Sequence, residues 1–356
     1  MKHKILVINP GSTSTKVALF NRNDLLAEDT IRHTHDELSQ FTRISDQNRF
    51  RRQVIEEFLD KHDCSLTELT AVVGRGGLLK PIPGGTYLVN DRMLSDLTHE
   101  RYNTHASNLG AILAHNLAEL AGVQAYIVDP VVVDEMQPIA KLSGLIGIER
   151  RSVSHALNQK AVARTCLENE GKKYKESNVI VVHLGGGISI GAHSKGQMID
   201  VVNGLDGEGP YTPERTGSLP LYPFAKKIIE ERLNLEEVKK ILAGKGGIQS
   251  YLNEIDLRKV VERIEIGEEE ARLYLDGMCY QIGKSIGEMA VVLKGQIDSI
   301  ILTGGGAHSE YITTRIKEAV EWMGKVVVRP GEMEMQALSA GVVRVLDGIE
   351  EARTYQ

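Results

Sequence analysis

Two glycine-rich turns of one pattern lie half a chain apart, and they constrain the fold more than any other feature. The first stands in ILVINPGSTSTKVALF at 5–20, and the second stands in VIVVHLGGGISIGAH at 179–193. Each consists of an apolar β-type run, a tight turn and a second β-type run. Glycine suits such turns because a Cβ would keep a phosphate away from the backbone N–H groups. The repeat predicts two similar domains that each present a phosphate-binding hairpin to one cleft.

Length and charge narrow the class of protein. At 356 residues the chain is longer than an average domain, which favours two domains. The net charge of −6 and the lack of a long basic run argue against a nucleic-acid partner. The three cysteines, Cys64, Cys166 and Cys279, form no zinc-binding or disulfide pattern, so we expect a reduced, cytoplasmic location. We also expect neither a secretion signal nor a membrane span.

Short apolar runs alternate with amphipathic helical patterns along the chain, which predicts an α/β fold. The stretch 203–223 is dense in glycine, proline and aspartate, and we expect a long functional loop there. The predicted helices lie at 54–62, 106–122, 153–170, within 257–293 and at 334–346, and the predicted strands include 125–130, 179–184 and 325–331.

The segment NPGSTSTK at 9–16 is the first candidate for chemistry. A hairpin that wraps the terminal phosphates of a nucleotide would put Asn9 near a metal ion and Lys16 near negative charge. The hydroxyl groups of Ser12, Thr13 and Ser14 would add donors. A tight turn with polar caps is the structural alternative, and the GxxxxGK[ST] spacing of a P-loop is absent.

Two glycine triplets follow apolar strand patterns, in HLGGGIS at 183–189 and TGGGAHS at 303–309. Consecutive glycines are costly unless a ligand approaches the backbone, although a tight turn under a packed helix would also use them. The second triplet is predicted to open a helix, whose N-terminal N–H groups favour an anion. The six glycines are Gly185, Gly186, Gly187, Gly304, Gly305 and Gly306.

Charged side chains stand next to these turns and strand ends. Arg75 in VVGRGG and Arg215 in PERTGS are flanked by glycine, and guanidinium groups match phosphate and carboxylate through two-point contacts. Asp129 follows a strand at the edge where ligand clefts of α/β proteins form, and a turn-capping aspartate is the alternative.

His155 near a predicted helix start is a second kind of candidate, with a packed or capping histidine as the alternative. Glu332 and Glu334 precede the last predicted helix. They could hold Mg²⁺ through water, or they could simply complement the helix dipole.

Taken in order, these segments resemble the run of motifs in butyrate kinases, which belong to the acetate kinase family within the superfamily of actin, sugar kinases and heat-shock-70 ATPases. The motifs are VINPGSTSTK, GRGGLLKPIPGG, DPVVVDEM, HALNQKAVA, HLGGGIS, GEGPYTPERTGSLP and LTGGG. The resemblance covers essentially the whole chain.

The resemblance implies an α/β fold of two duplicated ribonuclease-H-like domains with an active-site cleft between them. The first domain would cover 1–145 and be joined by the C-terminal helix 334–356, and the second, nucleotide-binding domain would cover 146–333. The implied reaction is reversible phosphoryl transfer from ATP to butanoate. The implied cofactor is Mg²⁺, and the implied assembly is a homo-oligomer.

The resemblance also implies a role for each candidate residue. Arg75 and Arg215 would hold the carboxylate and the moving phosphoryl group, His155 would donate a hydrogen bond to that group, and Asp129 would position the reacting centre. Asn9 would contact Mg²⁺ or the transferred phosphoryl group, and Glu334 would contact Mg²⁺. The nucleotide phosphates would lie against Ser12, Ser14, Lys16, His183, Gly185, Gly186, Gly187, Gly304, Gly305 and Gly306.

Two positions depart from the acetate kinase pattern. Gly186 stands where acetate kinases carry asparagine in HLGNG, and SVSH precedes the helix at His155 in place of an aromatic- and glycine-rich motif. Both differences favour the butyrate side of the family.

A carboxylate is already ionised at neutral pH, so direct in-line transfer needs cations more than a base, and we prefer it to a phospho-enzyme on Glu334 or a histidine. Two other functions stay open from sequence. One is a sugar or polyol kinase with Asp129 as base, and the other is an actin-like or heat-shock-70-like ATPase switch.

Overall fold

The chain forms two compact units. The computed structural model describes residues 3–356. Unit 1 comprises the residues up to Val133 together with Met333–Gln356, and unit 2 comprises Asp134–Glu332. The chain therefore leaves unit 1 once and returns to it for its last helix.

The strands of both units are numbered here in chain order. They are β1 (Lys4–Pro10), β2 (Ser14–Asn21), β3 (Asp24–Arg32), β4 (Ala71–Arg75), β5 (Thr86–Leu88), β6 (Gln124–Val128), β7 (Leu142–Leu145), β8 (Ile148–Glu149), β9 (Asn178–Leu184), β10 (Ile188–Ser194), β11 (Gln197–Val202), β12 (Ser299–Gly304), β13 (Val326–Pro330) and β14 (Arg353–Thr354).

The α-helices are numbered in the same way. They are α1 (His35–Ser39), α2 (Asn48–Lys61), α3 (Asp91–Thr98), α4 (Asn108–Ala121), α5 (Ala156–Glu168), α6 (Leu221–Glu231), α7 (Leu235–Leu242), α8 (Ile248–Leu252), α9 (Leu257–Glu265), α10 (Glu269–Val292), α11 (Glu310–Val320) and α12 (Glu334–Leu346). The predictions of helix within 257–293 and at 334–346 are thereby confirmed.

Unit 1 contains a seven-stranded sheet in the order β14-β5-β6-β4-β1-β2-β3. The first three strands pair in antiparallel fashion, whereas β4 pairs parallel to β1 and β6 pairs parallel to β4. The side chains of residues 5–8 in β1 are fully buried. A central strand covered on both faces explains the continuous apolar run in the sequence.

Unit 2 contains a five-stranded sheet in the order β11-β10-β9-β12-β13 and a separate β7–β8 hairpin. Strands β9, β10 and β11 are antiparallel, and β12 and β13 add parallel strands beside β9. The order and directions repeat those of β3-β2-β1-β4-β6 in unit 1. The predicted repeat is therefore present as a repeated strand topology. A three-residue turn joins β1 to β2 at 11–13, and another joins β9 to β10 at 185–187.

One detail of the second glycine triplet was predicted wrongly. Gly304 ends β12, and Gly305–His308 form a single 3-10 turn. The α-helix α11 begins only at Glu310, with the Ser309 side chain accepting from the Ile312 N–H at its N-terminus. The triplet therefore does not itself open an α-helix, because Ser309 supplies the cap.

Within residues 3–356, no helix is both long enough and apolar enough to cross a membrane.

Helix α4 packs unusually closely on β4, directly beside Arg75. A Cβ on Gly74 would overlap the carbonyl group of Gly110, and a Cβ on Gly110 would overlap the Arg75 carbonyl oxygen. Glycine is therefore required at both positions, because any side chain would keep the backbone of α4 from approaching the backbone of β4 this closely. The helix ends at Gly122, whose φ of 70° matches a left-handed cap.

We predict that Gly110→Ala destabilises unit 1 by about 1–3 kcal/mol, because α4 must move away from β4 to make room for a methyl group. The matched control is Gly287→Ala in α10, where an added Cβ meets nothing within 4 Å. That change should stabilise by about 0.5–1 kcal/mol through helix propensity. Thermal and denaturant unfolding of both variants measure the difference, and a Gly110→Ala protein as stable as wild type would contradict the packing argument.

Candidate active site

The first glycine-containing turn joins β1 to β2 and is closed by a hydrogen bond from the Gly11 N–H to the Ser14 carbonyl, at 2.8 Å. Asn9 lies directly across from Lys16 in this hairpin. The Lys16 ammonium forms an ion pair with Glu28 on β3 at 3.0 Å. Ser12 is exposed and Ser14 is half-buried, so the Ser12 hydroxyl and part of Ser14 are accessible to a ligand.

A buried arginine that the sequence analysis missed supports this turn from below. Arg51 on α2 is fully buried and donates to the carbonyl oxygens of Ser14 at 2.8 Å and Ser12 at 3.3 Å. It also donates to the Thr15 hydroxyl and to the Gln47 side chain. No carboxylate pairs with Arg51 among the residues that the structure describes, and burial lowers the pKa of its guanidinium to about 10. The positive charge of Arg51 on the buried side of the turn favours an anion on its exposed side.

Arg75, Asn9 and Glu334 form one polar cluster in unit 1. Arg75 ends β4 and donates to the Glu334 carboxylate at 2.9 Å. The Asn9 amide donates to the same carboxylate at 2.8 Å, and Arg75 reaches the Asn9 Oδ1 at 3.4 Å. Glu334 is the first residue of α12. The last helix thus returns to unit 1 with a carboxylate that orients the guanidinium and the amide.

Asp129 lies beside this cluster in the sheet. It follows β6, and its neighbour Val128 is the register partner of Arg75. The Asp129 side chain is almost fully buried and accepts the Gly85 N–H at 2.7 Å. Its φ of 38° is a left-handed value that aspartate tolerates better than most residues. The Asp129 carboxylate is therefore held by a hydrogen bond just after the end of β6.

In unit 2, the β9–β10 turn packs against Arg215. A Cβ on Gly187 would overlap the Arg215 guanidinium, and the Thr212 hydroxyl donates to the Gly186 carbonyl at 2.8 Å. Burial lowers the pKa of Arg215 below its ordinary value. The loop that carries PERTGS thus places a partly desolvated cation directly on the HLGGG turn, where its attraction for an anion is strengthened.

The two glycine triplets of unit 2 also meet. Gly304 has a φ of 88°, and a Cβ there would overlap the Leu184 backbone. Gly306 lies over the Leu184 side chain, so that even its ideal Cβ would come within 3.0 Å of it. A Cβ added to Gly305 would meet no other atom within 4 Å. The triplets lie side by side, and Gly186 and Gly305 form the exposed part of their surface, whereas Gly187 and Gly304 are buried.

Two histidines of unit 2 stack at the side of this surface. The rings of His155 and His183 lie 3.8 Å apart at an interplanar angle of 11°. The His183 Nδ1 contacts the Asn158 amide at 2.8 Å, and its Nε2 lies 3.4 Å from the Glu332 carboxylate. Asn158 on α5 is a residue that sequence analysis missed, since an asparagine inside a helix has no distinctive pattern.

The structure therefore gathers the predicted residues into one group in each unit. Unit 1 brings together Asn9, Arg75 and Glu334, with Asp129 in the neighbouring strand. Unit 2 brings together the stacked histidines, Arg215 and the glycine triplets. Lys16 pairs with Glu28, and its role toward a nucleotide stays a prediction.

Oxygen ligands for a metal ion are few. No cluster of three or more histidine, cysteine, aspartate or glutamate side chains suited to a metal occurs within 3–356. Asn9 and Glu334 nevertheless offer an amide and a carboxylate oxygen at one place. Mg²⁺ is commonly bound by one or two protein oxygens together with phosphates and water, so these donors fit a metal that a nucleotide also holds.

The sequence of this chain is similar to known proteins over almost its whole length. A family model described as the Acetokinase family matches residues 138–342. A protein of Enterococcus faecalis named "Probable butyrate kinase" is 62% identical over 351 residues, covering 99% of this chain and 97% of the relative. A protein of Listeria innocua with the same name is 47% identical over 355 residues, covering 100% of both.

Solved structures agree in fold. The crystal structure of Porphyromonas gingivalis acetate kinase superposes with a TM-score of 0.76 at 19% identity, covering 96% of this chain and 99% of the other. Acetate kinase from Entamoeba histolytica gives a TM-score of 0.73 at 18% identity, covering 95% and 98%. The predicted α/β fold, with a repeated ribonuclease-H-like topology, is confirmed. By its sequence and its fold, the chain belongs to the Acetokinase family.

Proposed function

We propose that this protein is a butyrate kinase, which reversibly transfers the γ-phosphoryl group of ATP to butanoate or a branched short-chain fatty acid and yields the acyl phosphate and ADP. The observation that carries the proposal is the contact of Glu334, at the start of α12, with Arg75 and Asn9 near the ends of β4 and β1, in a chain of the Acetokinase family. The names of the two relatives support butanoate as the acid.

The transfer we propose is direct. A carboxylate oxygen of the acid forms a bond to the γ-phosphorus while the bond from that phosphorus to the bridging oxygen breaks, and the electron pair leaves with ADP. The acid is ionised at neutral pH, so no proton has to be removed. Catalysis then consists of alignment and of stabilising charge on the three equatorial oxygens.

Two arginines supply that charge stabilisation in the proposal. Arg75 and Arg215 hold the carboxylate and the moving phosphoryl group through two-point contacts. The Glu334 carboxylate fixes the plane of the Arg75 guanidinium at 2.9 Å, which lowers the cost of ordering it when substrate binds. Asp129 positions the reacting centre from its rigid place after β6.

The remaining predicted residues serve the nucleotide. His155 donates to the transferring phosphoryl group, and the turns around Gly11 and Gly186 offer backbone N–H groups to the phosphates. The hydroxyl groups of Ser12 and Ser14 add donors above the buried Arg51 cation. Lys16 contributes positive charge nearby. His183 and the two glycine triplets lie along the phosphates.

Asn9 and Glu334 would hold Mg²⁺ together with the ATP phosphates. When bound, the ion neutralises phosphate charge as the bridging bond weakens. We also propose a cytoplasmic location, which the three free, buried cysteines support.

The first prediction from the proposed function concerns the acid. With ATP and Mg²⁺, we expect hydroxylamine to trap an acyl hydroxamate whose yield peaks at butanoate, isobutanoate or pentanoate and falls for acetate. One methylene is worth only about 1–3 kcal/mol in an apolar pocket, so neighbouring acids should react more slowly rather than not at all. Formation of ADP with no hydroxamate from any acid would contradict the proposal and favour a sugar kinase or an ATPase switch.

The second prediction concerns Arg75. We expect Arg75→Ala to lower kcat by about 10²–10³-fold, because a preorganised donor to developing charge is lost. Arg22→Ala is the matched control, since Arg22 pairs with Asp347 on the surface of the same unit. Steady-state kinetics with butanoate measure both variants. Equal losses in the two variants would show that Arg75 acts only on stability.

The third prediction concerns assembly. We propose a homo-oligomer in which the β7–β8 hairpin lies between copies, because its aliphatic side chains are exposed and Ile146 is 99% exposed. Contiguous apolar patches of this kind mark interaction surfaces. The other exposed aliphatic side chains are Leu142, Leu145 and Ile148 in the hairpin and Ile139 just before it.

We expect Ile146→Asp to reduce the mass measured by light scattering after size exclusion. Ile349→Asp, at an exposed isoleucine elsewhere, should leave the mass unchanged. A monomeric wild-type protein would refute this part of the proposal.

A further inference from the structure

A chain of hydrogen bonds leads from His155 into the buried interior of unit 2. The His155 Nδ1 lies 2.9 Å from the Ser189 hydroxyl, to which the Gln159 amide donates at 2.8 Å. The Gln159 Oε1 lies 2.9 Å from the His193 Nε2, and the His193 Nδ1 lies 2.8 Å from the Tyr174 hydroxyl. We call Ser189, Gln159, His193 and Tyr174 the relay.

The direction of the hydrogen bond at Gln159 is fixed by its neighbours. Its Nε2 also lies 3.2 Å from the Ser189 backbone carbonyl, which can only accept. The Nε2 is therefore the donor on that side, and the Oε1 must accept a proton from the His193 Nε2.

His193 is a neutral imidazole. It is fully buried, and burial, with Lys160 and Arg164 nearby, lowers its pKa well below the ordinary value. A neutral ring carries one proton, and Gln159 requires it on Nε2. The Nδ1 therefore accepts, and the Tyr174 hydroxyl donates to it.

The direction of the hydrogen bond between Ser189 and His155 follows from the other partners of the Ser189 hydroxyl. Its oxygen accepts the Gln159 N–H, and the His155 backbone N–H lies 3.4 Å from it. Two N–H groups thus occupy the two acceptor positions of the hydroxyl. Its own proton then points to the His155 Nδ1.

We propose that the relay holds His155 in the tautomer that is protonated at Nε2, and that Ser189, Gln159, His193 and Tyr174 are positioning residues for it. The stacking on His183 at 3.8 Å fixes the plane of the ring.

The use of that proton rests on the proposed function. Phosphoryl oxygens only accept hydrogen bonds, so a neutral His155 assists transfer only if Nε2 carries the proton. The opposite tautomer would present a lone pair to the anion and repel it.

The test begins without substrate. Long-range ¹H–¹⁵N correlation spectra of the full chain, labelled with ¹⁵N-histidine, distinguish the two tautomers of each ring, and His155→Gln identifies the His155 signals. We expect His155 to be protonated at Nε2 and His193 likewise. Either ring protonated at Nδ1 in the neutral form would overturn the proposal.

Variants test the direction of influence. Ser189→Ala should produce a mixture of tautomers at His155, and Tyr174→Phe should shift the His193 signals and, through Gln159 and Ser189, those of His155. Ser189→Thr keeps a hydroxyl and should restore the single tautomer. Ser194→Ala on the same strand removes a hydroxyl that donates to the Asn178 Oδ1, and it should change nothing at His155.

Steady-state kinetics distinguish a failure of the relay from a failure of the proposed kinase function. In an active kinase, Ser189→Ala should lower kcat by about tenfold with little change in the KM for ATP, because one hydrogen bond to developing charge is weakened. An unchanged His155 tautomer in Ser189→Ala would overturn the relay even if the enzyme makes butanoyl phosphate. Conversely, absence of kinase activity with the expected spectra would refute only the proposed function. If Ser189→Ala does not fold, the wild-type spectrum still decides the tautomer.

Discussion

Close backbone contact at glycine positions is the constraint on which both groups of functional residues depend. Parallel strands that pair side by side end at one edge of their sheet, and the loops that follow must turn within a few residues. Gly74 lets α4 approach β4 beside Arg75, and Gly304 lets the end of β12 touch the Leu184 backbone. A Cβ at either place would separate elements that carry charged or donor groups. Both glycines thus matter for packing, which for Gly304 is the structural alternative weighed from sequence, and ligand approach to the glycine triplets stays a prediction.

Buried charge is handled differently in the two units. Arg51 is buried beneath the first turn with neutral oxygen partners alone among those described, which leaves its charge available to an anion. Lys160 is buried in unit 2 but pairs with Glu135 at 2.7 Å, so its charge is compensated. An uncompensated buried cation costs stability, and such a cost is typical of functional positions. Arg51 is therefore better explained by electrostatics at the turn than by the stability of the fold.

Much of the fold could be predicted from the sequence because its strongest signals are local. Buried central strands such as β1 and β9 read as continuous apolar runs, and α12 begins at the predicted residue, Glu334. The edge strand β3 was missed because its side chains are mostly exposed and show no apolar run. Arg51 and Asn158 were missed for another reason. Each acts through partners distant in sequence, and a single arginine or asparagine in a helical pattern does not indicate which backbone groups it will reach. The residue types of the candidate site were thus predictable, whereas the contacts that orient them required the structure.

The balance between carboxylates and cationic or N–H donors in the candidate site bears on whether a hydroxyl or a carboxylate accepts the phosphoryl group. A kinase that phosphorylates a hydroxyl needs a carboxylate free to take a proton from it. In unit 1, Glu334 accepts from Arg75 and Asn9, and Asp129 accepts the Gly85 N–H. In the proposed mechanism, Arg75 and Arg215 would stabilise negative charge on the acceptor and on the transferred group. A carboxylate acceptor would use both cations fully because it arrives already deprotonated.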